Sequence, residues 1–171
     1  MGKRLCDIEV KKREVLQEVQ RVTEYIGAKA GDGTAYDKVR AVDDDRGALE
    51  RFWLEACDGA TDTLKPFLVD ASLNVLTGWD YNDEGNNPGY STRIEVSQRF
   101  QRRLSSSVNT SLYRYFVAAI VSNWCAWTSK PDAERYAIEA RAALADVERK
   151  LYYRERPQRS LGGAPETTIE I

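Results

Sequence analysis

Asn109–Trp127 reads NTSLYRYFVAAIVSNWCAW, and wound as an α-helix it carries aromatic and aliphatic side chains on every side. A helix that is apolar all round is a buried helix. The other apolar stripes in the chain are one-sided, so the simplest arrangement sets this helix at the centre of a small bundle. Its nearly apolar part, Tyr115–Trp127, includes Ser122 and Asn123 and falls short of the roughly 20 residues that span a bilayer.

Toward the N-terminus the helical period disappears between Leu73 and Phe100. NVLTGWDY and TRIEVSQRF flank the turn-rich NDEGNNPGYS, and Ile94, Val96, Gln98 and Phe100 alternate with polar neighbours. That pattern predicts an inserted β-hairpin with a long tip over about 73–100. Such a hairpin must pack on the bundle or pair with another chain. Ahead of it, Leu49, Phe52, Trp53, Ala56, Ala60, Leu64 and Leu68 form one helical face. This face opens after Asp43-Asp44-Asp45, acidic residues suited to the unpaired amides and positive dipole of a helix start. Pro66 predicts a kink, or a stop near Leu64 and a restart. Earlier still, Val15, Leu16, Val19, Val22 and Ile26 mark an amphipathic helix from Lys12 to about Ala28, closed by Gly27, Gly31 and Gly33. GDGTAYDKVRAV is then a connecting loop anchored at Tyr36 and Val39. Asp7–Val10 alternates as a short strand or an irregular arm.

Beyond the central helix, Ser129-Lys130-Pro131-Asp132 marks a new helix start, with Ser129 as cap and the proline in the first turn. Tyr136, Ala137, Ala140, Ala143, Leu144, Val147 and Leu151 follow as an alanine-rich stripe, suited to close approach against Trp124 and Trp127. From Arg154 onward two prolines and two glycines rule out a compact element, while Ile169 and Ile171 alternate with Glu170 as a strand added to a neighbour's sheet edge would. The expected fold is mainly α. One domain, 1–153, is a bundle of about four helices around 109–127 with the inserted hairpin, and 154–171 is an extended C-terminal arm.

At 171 residues and 42% hydrophobic, the chain suits one globular domain that needs no disulfide or metal. The 25 lysines and arginines nearly balance 27 acidic residues, so net charge alone does not favour nucleic acid. MGKRLCDIEV has no apolar core of a secretory signal, and a soluble cytosolic product is the expectation. Cys6, Cys57 and Cys125 are too scattered for a metal or redox pair, and Cys57 and Cys125 read as small core residues.

Catalytic signatures are missing. The chain has no histidine, which removes Ser-His-Asp and Cys-His chemistry and the usual histidine-containing metal sites. Asp80-Tyr81-Asn82-Asp83-Glu84-Gly85 starts like a calcium loop, but its twelfth position is Ser91 where a bidentate glutamate belongs. A polar hairpin tip explains it better. Helix capping likewise explains Asp43–Asp45 without an ion.

Basic residues gather twice: Arg93, Arg99, Arg102 and Arg103 after the hairpin, and Arg149, Lys150, Arg154, Arg156 and Arg159 leading into the arm, with Tyr152 and Tyr153 beside them. Either group suits phosphates. Either also suits an acidic surface on a neighbouring subunit, such as the series Asp43, Asp44, Asp45, Glu50, Glu55, Asp58 and Asp62. Unlike patches repeated head-to-tail close into a ring, and the interface is the favoured reading.

Two segments, EVQRVTEYIGAK and AYDKVRAVDDDRGALERFWLEACDGATDTLKPFLVD, resemble a group of virion proteins from tailed phages and prophages of gut bacteria, over roughly the first 70 residues. The plan of a helical bundle, one long hairpin and an extended arm also resembles the head-to-tail connector, or adaptor, proteins that ring the phage portal. This resemblance implies a non-enzymatic virion protein of the neck, assembled in the host cytoplasm, with no cofactor and no membrane. It implies a homo-oligomeric ring of twelve copies with the portal protein on one face and a tail or second neck protein on the other. Genomic DNA passes through the channel without sequence recognition. Hairpin and arm supply the contacts, with Trp79, Tyr81, Tyr90, Arg93, Arg99, Arg102, Arg103, Arg154, Arg156, Arg159, Ile169 and Ile171 as candidate partner-binding residues. Simple connectors are often shorter, so a tail-completion, terminator or minor capsid role stays open, as does a small helical nucleic-acid-binding protein.

Overall fold

The computed structural model describes residues 3–29, 37, 39–42, 45–69, 89–100 and 103–153. In order these form β1 (Lys3–Val10), α1 (Lys12–Lys29), α2 (Arg46–Leu64), a 3-10 turn (Lys65–Phe67), β2 (Tyr90–Ser97), α3 (Arg103–Thr128) and α4 (Lys130–Tyr152). The fold is mainly α, with four helices and one two-stranded antiparallel sheet among the described residues. The expected hairpin arm over 73–88 and the C-terminal arm over 154–171 lie outside them, as do Tyr36, Asp43 and Asp44.

The apolar stretch does form the axis, as the longest helix, α3, at 26 residues. From Tyr115 to Cys125 it has no exposed residue. Its first half is one-sided, because Arg103, Ser106, Thr110 and Arg114 make an exposed stripe. The far end also departs from expectation. Trp127 is 61% exposed, its ring edge-on to Phe52 at 5.1 Å and beneath the Arg51 guanidinium at 5.2 Å. Trp124 is buried instead, donating from Nε1 to the Val39 carbonyl at 2.6 Å. Together with the Ala41 N–H, which donates to Thr23 Oγ1 at 3.1 Å, this ties the buried Val39 and Ala41 to α1 and α3.

Phe116 is the hub of the core. Its ring stacks on Trp53 of α2 at 4.7 Å and meets Tyr90 of β2 at 5.3 Å and Tyr115 at 5.5 Å. Tyr115 in turn explains Gly59 in the interior of α2. A Cβ at Gly59 would fall on the Tyr115 hydroxyl, and that ring is buried and cannot swing away. Glycine to alanine inside a helix ordinarily gains about 1 kcal/mol. Here Gly59→Ala is expected to lose about 1–3 kcal/mol by overpacking. Urea unfolding checks the sign.

Helix boundaries follow local chemistry. α2 stops at Leu64 and the chain tightens into the 3-10 turn that contains Pro66, the stop the sequence predicts. The start of α2 differs. The Asp45 carboxylate makes no cap bond to the helix amides and accepts the Val42 N–H at 3.0 Å, closing the preceding turn. Ser129 is the N-cap of α4 with proline in the first turn, but its hydroxyl bonds the Asp132 carboxylate at 2.6 Å. With one residue between them, α3 and α4 fold back as an antiparallel hairpin. Ser122 Oγ donates to the Ala133 carbonyl near the bend, and Ser111 Oγ donates to Asp146 Oδ2 far from it. Ala140, Ala143, Val147 and Leu151 are the buried stripe of α4.

The strand pairing that the structure describes joins distant parts of the chain. β2 pairs along its length with β1, from Lys3 opposite Ser97 to Val10 opposite Tyr90, and not with a neighbour in sequence among the described residues. β1 extends to Lys3, well beyond the four residues expected. Even-numbered residues of both strands face the core, with Ile8, Val10, Tyr90, Thr92, Ile94 and Val96 buried, and odd-numbered ones face solvent. Gln98 and Arg99 form a turn after the strand. The chain enters β2 through Gly89 at φ +87°, pressed against the junction of β1 and α1. That junction holds Lys12, which is buried and bridges α1 to α2 through Glu50 at 2.5 Å.

Candidate interaction surface

Parts of the two basic groups, far apart in sequence, come to the same end of the bundle: Arg99 and Arg103 from one, Arg149 and Lys150 from the other. Because α3 and α4 are antiparallel, the first turn of α3 lies beside the last turn of α4, where Lys150 Nζ donates to the Ser107 carbonyl at 3.2 Å and to Ser111 Oγ at 2.6 Å. Arg103 sits one turn before Ser107 and is exposed, and Arg149 is exposed next to Lys150. Arg99 is exposed in the turn ahead of α3, and Arg4 reaches the same corner by donating to the Phe100 carbonyl at 3.2 Å. Neither Arg99 nor Arg103 has an ion pair among the described residues.

Aromatic surface joins this corner. Tyr152 and Tyr153, 54% and 53% exposed, end α4, and the Tyr152 ring meets Phe67 edge-on at 5.0 Å. Phe67 leads to Leu68 and Val69, which bridge to β2 at Ile94 and Arg93. Arginine and tyrosine together suit protein interfaces.

Of the candidate partner residues, Arg99 and Arg103 lie on this surface. Arg93 is exposed on the outer sheet face and paired with Asp7 at 2.7 Å. Tyr90 is a correction. It is fully buried, its hydroxyl 3.1 Å from Thr61 Oγ1 and its ring against Phe116, and burial pushes its phenol up to about 12. The signal was present in the sequence, since Tyr90 continues the inward alternation of Thr92, Ile94 and Val96. Trp79, Tyr81, Arg102, Arg154, Arg156, Arg159, Ile169 and Ile171 lie outside the described residues. Phe67 and Val69 were not anticipated, because their approach to α4 and β2 depends on the 3-10 turn.

One anionic group anchors the corner. Asp146 accepts from Ser111 at 2.7 Å, pairs with Lys150 at 2.6 Å and also bonds Arg149. The Lys150 hydrogen bond, then those of Ser111 and Arg149, hold its carboxyl far below the usual carboxylate range. The folded carboxylate therefore keeps its charge at pH values where the unfolded one, near 3.9, is protonated. Its contribution is complete above about pH 4 and is lost as pH falls through the depressed folded value. Asp146→Asn is expected to cost about 1 kcal/mol at pH 7, with the gap to wild type closing below pH 4. Urea midpoints at pH 7 and pH 3 check this.

The remaining reactive groups are quiet. Burial pushes the Cys57 and Cys125 thiols up to about 12 and about 11, and Cys6 is raised by the same cause. A cleft of about 290 Å³ between α1, α3 and α4 is walled by Tyr113 and Tyr136. Burial raises both phenols, and its carboxylates Glu18 and Glu139 are paired with Arg21 and Arg135. Among the described residues no group of histidine, cysteine or carboxylate side chains is placed to hold a metal ion. None of the described helices is long and apolar enough to cross a membrane.

No protein-family model, curated protein or solved structure matches the chain.

Proposed function

We propose that this chain is a structural assembly subunit of a tailed-phage virion, a head-to-tail connector that forms a ring between portal and tail and continues the DNA channel. The observation that supports this reading is that exposed Arg99, Arg103, Arg149, Tyr152 and Tyr153 lie at one end of the bundle, where Lys150 joins α4 to the first turns of α3. The charge there is opposite to that of Glu55, Asp58 and Asp62 along the exposed side of α2. Unlike surfaces on one copy favour head-to-tail contacts, which close when the rotation per copy divides the circle. By resemblance the ring holds twelve copies, the portal and a tail or second neck protein bind its two faces, and the channel wall lets DNA slide. A tail-completion, terminator or minor capsid role would use the same contacts.

Charge exchange tests the contact. Arg99→Glu with Arg103→Glu is expected to weaken self-association about tenfold or more, and adding Asp58→Arg and Asp62→Arg to the partner copies restores it. Unchanged self-association in the first variant contradicts the contact.

Nucleic-acid binding is the second reading, favoured by Arg99 and Arg103 having no ion pair among the described residues and lying toward exposed tyrosines. It requires salt-dependent retention of duplex DNA that Arg102→Ala plus Arg103→Ala abolishes. Absence of retention at low salt removes it.

A further inference from the structure

Among the described residues the two-stranded sheet has one open edge, that of β1. β2 is met on both sides, by β1 along its length and by Leu68–Val69 opposite, where the Val69 N–H donates to the Arg93 carbonyl at 3.4 Å. Since the main chain of Arg93 points away from β1 at that bond, the main chain of Ile94 and of alternate residues points toward it. In the observed register Cys6 faces Ile94 and Asp7 faces Arg93. Arg4, Cys6, Ile8 and Val10 thus bond to β2, whereas Lys3, Leu5, Asp7 and Glu9 turn their N–H and C=O groups outward. Those four residues are exposed, and none makes a main-chain bond outside the strand pair among the described residues. The strand is eight residues long without proline or bulge, and Leu5 in its middle is 56% exposed. Such an edge is a template for another strand.

We propose that this edge receives the C-terminal segment Thr167–Ile171 of a second copy, an interaction that rests on the assembly reading above. TTIEI alternates, with Thr167, Ile169 and Ile171 on one side and Thr168 and Glu170 on the other. Added to β1, the isoleucines extend the inner face of Cys6, Ile8 and Val10. Glu170 joins the outer, solvent-facing side, where Lys3 and Arg93 are already paired with Glu95 and Asp7, so the match rests on the main-chain edge and the apolar alternation and not on charge. The chain between Tyr153 and Thr167 spans up to roughly 45 Å when extended, enough to cross to a neighbouring copy. Main-chain bonds give such strand addition its affinity, and the alternating side chains give it register.

The register supplies a selective test. Leu5→Pro removes an outward N–H and none of the β1–β2 hydrogen bonds, the one setting in which an edge strand tolerates proline. Sedimentation of the full chain is compared with Leu5→Pro, with Leu5→Ala and with a chain ending at Pro165, each checked for fold by thermal melting. Leu5→Pro and the shortened chain are each expected to weaken self-association about tenfold or more, and Leu5→Ala by less than about twofold. A free peptide of residues 165–171 in excess dissociates the wild-type assembly. Should Leu5→Pro fail to fold, that competition decides alone, and no dissociation overturns the inference. Self-association that survives either Leu5→Pro or the truncation overturns this inference and leaves the assembly reading standing. A wild-type chain that is monomeric at every concentration overturns both.

Discussion

Phe116→Ala unfolds at a much lower urea concentration than the wild-type chain, with a loss of about 3–5 kcal/mol. The ring is fully buried and is shared by α2, β2 and its own helix through Trp53, Tyr90 and Tyr115. Its removal leaves a cavity that three other rings border, and those rings are themselves packed on all sides and cannot all close in. Phe116→Leu keeps much of the volume and costs about 1–2 kcal/mol. Trp127→Ala is the instructive contrast. Trp127 is the larger side chain in the same helix, yet it is 61% exposed, and its removal costs about 1 kcal/mol or less. If Phe116→Ala cost no more than Trp127→Ala, the core would not be centred where the structure puts it.

Gly89→Ala has the second large effect, about 2–4 kcal/mol, and the cause is backbone rather than core. Gly89 holds φ at +87°, a region that costs a side chain about 1–2 kcal/mol. A Cβ there would also press on the Lys12 amide nitrogen and lie 2.6 Å from the Val10 carbonyl oxygen. Both are backbone atoms fixed by the junction of β1 and α1, so no rotamer change relieves the overlap. The loss should appear as a lower urea midpoint with an unchanged slope. Gly47→Ala is the control. Nothing lies within 4 Å of its Cβ position, and the substitution is neutral or gains up to about 1 kcal/mol.

The helical part of the fold was legible because its evidence is local. Val15, Leu16 and Val19 lie on the buried face of α1. Leu49, Phe52, Trp53, Ala56 and Ala60 do the same in α2, and Pro66 marks its end. The strand pairing was hidden because it is not local. NDEGNNPGYS invites a hairpin between neighbours, whereas among the described residues the strand paired along β2 is at the start of the chain, and nothing in either strand alone names the other. Tyr90 is the same case: at a turn-rich tip it is expected to face outward, whereas as the first residue of β2 it faces the core. Asp45 shows a smaller failure: an acidic run before a helix suggests capping, but the carboxylate closes the preceding turn.

The candidate surface was half legible. Both basic groups stand out in the sequence, yet the approach of Arg149 and Lys150 to the Arg103 end of α3 follows from the single-residue break at Ser129. That break folds a helix of 26 residues against one of 23 and returns Lys150 to Ser107. The position of Phe67 and Val69 beside them depends on the 3-10 turn, whose direction no periodicity encodes.

Assembly is the claim on which the functional account depends, and the oligomeric state with its symmetry tests it most directly. Light scattering of the purified full-length chain, followed by electron microscopy of the particles, is expected to give a closed ring of high order, twelve copies by resemblance, with an open channel. A single species at the monomer mass across the whole concentration range, with no ring formed in the presence of a portal protein, contradicts it.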